Sequence, residues 1–88
     1  MKNLMKEIDM IAYFKISDLP YPIRFRIKED KTESLKTISV DDIIQKSKDR
    51  KYGNLMYIYD CSSKLEHGPI NYRLIYEVEL CKWYFYVK

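Results

Sequence analysis

From Ile70 onward the chain alternates between apolar and polar positions. Ile70, Tyr72, Leu74, Tyr76 and Val78 fall on one parity, and Asn71, Arg73, Glu77 and Glu79 on the other. Successive side chains of a strand point to opposite faces, so this period of two predicts a strand with one buried and one wet face. A second strand, residues 83–87, follows after a short break, and the two make a C-terminal hairpin. The same alternation recurs upstream. Ile8, Met10, Ala12, Phe14 and Ile16 predict a strand over residues 7–16. Residues 18–22 predict a turn. Pro20 and Pro22 lock φ and lack an N–H, so the second strand is expected to begin only after them, at residues 23–28. There Ile23, Phe25 and Ile27 face inward and Arg24, Arg26 and Lys28 outward. A polar hairpin loop over 29–32, a weakly patterned strand over 33–40, a strand over 55–62 and a polar loop over 63–69 complete the pattern.

Residues 41–50 fit two descriptions. Asp41 suits the N-cap of a short helix. Val40, Ile43 and Ile44 suit a third strand that continues around a bend, and their β-branching favours that version. Residues 47–52 then form a basic loop closing at Gly53 and Asn54.

About six short antiparallel strands with little helix define an all-β chain, arranged as a meander. A sheet with one apolar face must curl or pair to hide it, which predicts a small SH3-like or half-open barrel. A split barrel plugged by one short helix is the alternative. The 88 residues hold one domain, 1–88. Within it Phe25, Leu74, Tyr76, Trp83 and Phe85 are the expected core. Trp83 and Phe85 lie on the opposite face of the last strand from Tyr84 and Tyr86. One curled sheet cannot bury both pairs, which leaves one of them, Tyr84 and Tyr86 with this core, exposed or covered by a partner or by the N-terminal segment.

Composition changes this picture little. A 47 % apolar and 33 % charged chain is that of a folded globular protein. Lys, Ile, Tyr and Asn supply 35 of the 88 residues, a bias typical of A/T-rich bacterial genomes, which accounts for part of the tyrosine excess. The net charge of +3 permits attraction to anions without requiring it. Lys6, Glu7 and Asp9 interrupt any apolar run that could act as a signal peptide or span a membrane. A cytoplasmic protein with Cys61 and Cys81 as free thiols is expected.

Four motifs occur in order: P-I-R-F-R at residues 22–26, G-N-L-M-Y at 53–57, Y-R-L-I-Y-E-V at 72–78 and C-K-W-Y-F-Y at 81–86. Together they resemble a family of small uncharacterised Firmicutes proteins, over roughly residues 13–88. The family has no assigned activity, so the resemblance implies no catalytic residue here.

Catalytic chemistry finds little support. His67 is the only histidine and sits in a polar loop. Cys61 and Cys81 are too far apart in sequence and sheet for a zinc site, which needs closely spaced ligands. Asp41 and Asp42 read as a loop or helix start. Two glycines cannot build a phosphate loop. No enzyme, cofactor or metal is expected. Two features point to binding. Arg24, Arg26, Lys46, Lys48, Arg50 and Lys51 form a basic strip if the barrel brings them together, able to track a phosphate backbone. Tyr84 and Tyr86 offer an aromatic surface for a protein partner or a second copy. The sequence therefore predicts a non-enzymatic protein-interaction module, with a nucleic-acid-binding small barrel as the alternative.

Overall fold

Period-two patterning becomes strand almost everywhere it occurs. The computed structural model describes residues 5–28, 34–51 and 53–87. They form strands β1 (Lys6–Tyr13), β2 (Tyr21–Lys28), β3 (Leu35–Ser39), β4 (Asp42–Lys51), β5 (Asn54–Leu65), β6 (Gly68–Glu77) and β7 (Lys82–Val87). All pairings are antiparallel, in the order β3-β2-β1-β7-β6-β5-β4.

This order forces curvature. β3 and β4 occupy the two ends of the sheet, yet only Val40 and Asp41 join them. Six strand spacings in a flat sheet are roughly 29 Å. The chain from Ser39 to Asp42 reaches about 11 Å at most. The sheet therefore rolls into a half-barrel whose ends approach at this corner. Three hydrogen bonds fasten it. Val40 N donates to Ile23 O at 2.9 Å, Ser63 Oγ to Ser39 O at 2.5 Å, and Lys64 N to Asp41 Oδ2 at 2.7 Å.

The concave face holds an aromatic core. Phe25, Tyr59, Tyr72 and Leu74 are at or within 1 % of complete burial, and Tyr76, Trp83 and Phe85 are buried beside them. Tyr72 and Phe85 stack with ring centroids 5.3 Å apart, and Phe25 meets both at 5.6 Å. Trp83 lies 5.6 Å from Tyr59 and 4.8 Å from Tyr76. Such pairs add about 0.5–1.5 kcal/mol each beyond the area they bury. The buried hydroxyls are satisfied. Tyr59 donates to Pro20 O, and Tyr72 shares a 2.5 Å bond with Ser63 Oγ. The five expected core residues are all in this cluster.

Several boundaries differ from the sequence expectations, each for a local reason. The chain is not a simple meander, because β1 enters between β2 and β7: Lys6–Ile8 pair with β7 and Asp9–Tyr13 with β2. β1 stops at Tyr13 rather than residue 16. Phe14 leaves the ladder and packs edge-on against Tyr76 at 5.9 Å, and Ile16 is 95 % exposed. β2 starts at Tyr21, before Pro22. A bulge sets Ile11 against Arg24 and Ala12 against Pro22, skipping Ile23. Pro22 turns inward, and Ile23 is 38 % exposed instead of core-facing. No helix forms over 41–50, and residues 47–51 are strand rather than loop, since β4 runs straight to the Gly53 turn. Likewise β5 and β6 extend through the expected 63–69 loop, leaving Glu66 and His67 as a tight turn. The expected 29–32 loop lies outside the described residues.

Candidate functional site

β4 is the feature that sets this sheet apart. It is ten residues long, ends the strand order, and among the described residues pairs only with β5. Its other edge faces the open mouth of the half-barrel. Register fixes which side each residue faces. Lys46 opposes Tyr59, Lys48 opposes Tyr57 and Arg50 opposes Leu55. Tyr59 is a core residue of the concave face, so the three cations line up on that face at the rim. Ser47 opposes Ile58 and Asp49 opposes Met56, on the convex side. A bulge between Ile43 and Gln45 ends the regular stretch on one side, with Ile44 66 % exposed there.

The β1–β2 connection crosses the mouth opposite this row. Ser17, Asp18 and Leu19 with Lys48 and the half-buried Tyr57 line a cleft of about 390 Å³. Ser17 holds a left-handed φ of 61°, and Asp18 Oδ1 accepts the Leu19 N–H at 2.7 Å, which shapes the turn. Tyr59, donating to Pro20 O, anchors the segment from below.

The six expected basic residues do not form one strip. Phe25 faces the core, so Arg24 and Arg26 on the same strand face the convex side, while Lys46, Lys48 and Arg50 share the concave face. Arg26 bonds Asp9 at 2.7 Å, so its charge is already met. Elsewhere on the convex side Arg73 pairs with Asp60 at 2.8 Å and Lys82 with Glu7 at 3.8 Å. Among the described residues Lys46 and Lys48 have no acidic partner, and Arg50 reaches only Gly53 O at 3.4 Å. The Lys51 side chain lies outside the described residues.

Tyr84 and Tyr86 sit on the convex side of β7, as their parity predicts. Tyr86 is 37 % exposed, and the half-buried Tyr84 donates to Glu77 Oε1 at 3.2 Å. β7 lies three strands from β4, so the tyrosine pair and the cation row are separate surfaces.

The chemically reactive types are dispersed. His67 is exposed at the β5–β6 turn. Cys61 lies mid-strand in the core, and burial, reinforced by Asp60, pushes its thiol up to about 12. Cys81 is exposed in the β6–β7 turn with φ 56°, and both thiols are free. Burial likewise raises Tyr59, and Tyr72 to about 12, so both are neutral near pH 7. Among the described residues no three His, Cys, Asp or Glu side chains gather as a metal site, and no helix is long and apolar enough to cross a membrane. Comparison with protein-family models, curated proteins and solved structures finds no match to this chain.

Alternation identified Arg24, Arg26, Tyr84 and Tyr86 as surface residues and a basic-loop reading did so for Lys46, Lys48 and Arg50, but neither revealed the open edge. That depends on strand order, and the only hint was the alternation of Lys46, Lys48 and Arg50 itself.

Proposed function

We propose that this protein is a non-catalytic protein-interaction module that takes up an extended segment of its partner along β4. The observation that carries this reading is a ten-residue strand that, among the described residues, is paired along one edge only. An open edge presents a row of backbone N–H and C=O groups that an added strand satisfies, and such addition is a recurrent mode of peptide recognition. The Ser17–Leu19 turn supplies the opposite wall, with Tyr57 and Lys48 between.

The test is selection of ligands from a random peptide library, followed by two single prolines. Neighbouring N–H groups of a strand point to opposite edges. Of Ser47→Pro and Lys48→Pro, one therefore blocks only the open edge, and the other breaks pairing with β5. The variant that keeps the fold should lose peptide binding. Tyr84→Ala with Tyr86→Ala should keep it. If the tyrosine double variant loses binding and the proline variant does not, the partner surface is the convex face of β7.

A second reading is favoured by one observation: Lys46, Lys48 and Arg50 stand in a row beside an accessible tyrosine, Tyr57. Cations and a stacking ring are what a sequence-tolerant single-strand binder uses. On that reading oligonucleotides bind at low salt, and alanine at the three cations flattens the log-affinity against log-salt slope by up to about 0.7 for each phosphate no longer neutralised.

A further inference from the structure

We infer that the segment added to β4 is acidic at three alternate positions, and that it is not a second copy of this chain. The inference rests on the strand-addition reading and deepens it.

Regular edge runs from Gln45, after the bulge, to Lys51, before the Gly53 turn. A partner pairs with about seven residues there, roughly 23 Å of strand. Within that stretch every residue on the concave side up to Arg50 is cationic: Lys46, Lys48 and Arg50. In an added strand the directly opposed residues point to the same face and keep the same spacing. Three of its side chains, at positions i, i+2 and i+4, therefore each meet one cation.

The surroundings make those meetings selective. Behind the row lie Tyr57, Tyr59 and Leu55, so a strand seated at the mouth partly strips water from the cations. A neutral partner leaves them less well solvated and uncompensated, whereas a carboxylate compensates each one. On the convex ladder Arg26, Arg73 and Lys82 have acids on this chain, while Lys46 and Lys48 have none among the described residues. Asp18 lines the cleft with Lys48 but forms no ion pair with it, so carboxylates on a partner would supply these contacts.

The same row opposes self-pairing. A second β4 that continues the sheet antiparallel, with the same face inward and centred on Lys48, sets Lys48 against Lys48 and Lys46 against Arg50. Like charges directly opposed destabilise a ladder. Inward-pointing charge on an edge is a device that keeps edges from joining. Here it leaves an opposite-charge strand as the segment that fits.

The experiment compares fluorescent peptides with E-V-E-V-E, S-V-S-V-S and K-V-K-V-K cores on the full chain. The acidic peptide should bind about 3- to 100-fold tighter than the serine peptide, the combined effect of three cross-strand ion pairs. The ratio should shrink towards one at high salt. Lys46→Glu with Lys48→Glu and Arg50→Glu should invert the preference in favour of the lysine peptide. These residues are exposed, and circular dichroism verifies that the variant keeps its fold. Equal binding of acidic and serine peptides, still abolished by the open-edge proline, overturns the acidic partner and leaves strand addition standing. Binding of none of the peptides overturns both. An oligothymidylate that binds where no peptide does assigns the row to phosphate. A dimer in light scattering that the open-edge proline dissociates assigns the edge to a second copy. Either result overturns the inference.

Discussion

Tyr72 shows how this core reconciles polar groups with burial. Its ring stacks on Phe85 while its hydroxyl bonds Ser63 Oγ, which in turn donates to Ser39 O at the barrel corner. The chain Tyr72 to Ser63 to Ser39 pairs each of these oxygens. Burial of the Tyr72 ring, opposed by its bond to Ser63, also makes the fold sensitive to alkali. An ordinary tyrosine titrates near 10, and burial holds Tyr72 neutral up to about 12, with Tyr59 raised in the same sense. The raised folded value means that the Tyr72 contribution is fully present below pH 10 and is lost as pH climbs towards 12. Tyr72 alone contributes a loss on the order of 2–3 kcal/mol across that window. Cys61, held up to about 12 from an ordinary value near 9, starts the loss earlier, so thermal scans should be flat between neutral pH and about pH 8, decline from about pH 9 and fall steeply above 10. Tyrosinate absorbance from these two rings should appear only with unfolding. Their titration near pH 10 in the folded protein would contradict their burial. Trp83, wedged between Tyr59 and Tyr76, is the other critical side chain. Trp83→Ala should cost about 3–5 kcal/mol, most of the stability of so small a domain. An unchanged melting temperature would remove Trp83 from the core. At this scale the sequence was legible: parity alone placed Phe25, Leu74, Tyr76, Trp83 and Phe85 inside. It failed at Ile23, where a bulge shifts the register by one and exchanges Ile23 for Pro22. A one-residue slip flips a side chain to the other face, and alternation cannot report a slip that depends on pairing with another strand.

Among the elements, the two central hairpins rest on glycine. Gly68 closes the Glu66–His67 turn with φ 121°, and a Cβ there would meet nothing within 4 Å. The cost of Gly68→Ala is thus conformational and not steric crowding. It should lie near 1–3 kcal/mol, the usual strain of a side chain in such backbone. Wild-type stability in that variant, by chemical denaturation, would show that the turn relaxes freely. Elements whose buried face alternates were found with their ends off by a few residues. β4 was not recognised at full length because its concave residues beyond the bulge are Lys46, Lys48 and Arg50. With charges where apolar residues would stand, the period of two carries no hydrophobic signal, and a basic loop was the natural reading. The same exposure that hid β4 in the sequence marks it as the edge in the structure. Pro22 misled for a related reason. Proline is disfavoured inside a ladder, yet a bulge tolerates it.

For the whole molecule, topology decides which surfaces are available. Curling brings β3 and β4 to one corner and leaves the length of β4 facing an open mouth. It also divides the expected basic strip, placing Arg24 and Arg26 on the convex side, with Arg26 ion-paired, and the β4 cations on the concave rim. Half-open curvature was legible from an apolar face that needed hiding. The strand order was not, since no local pattern says that β1 pairs with both β2 and β7. Strand addition at β4 requires its outer edge to be open. Amide hydrogen exchange, resolved by residue in dilute protein, measures this directly. Along Gln45–Lys51 alternate amides point to β5 and to the mouth, so alternate residues should exchange slowly and fast. Addition of an acidic strand peptide should then protect the fast set. Uniform protection along β4 in the free monomer would mean that the edge is already covered, and would contradict strand addition there.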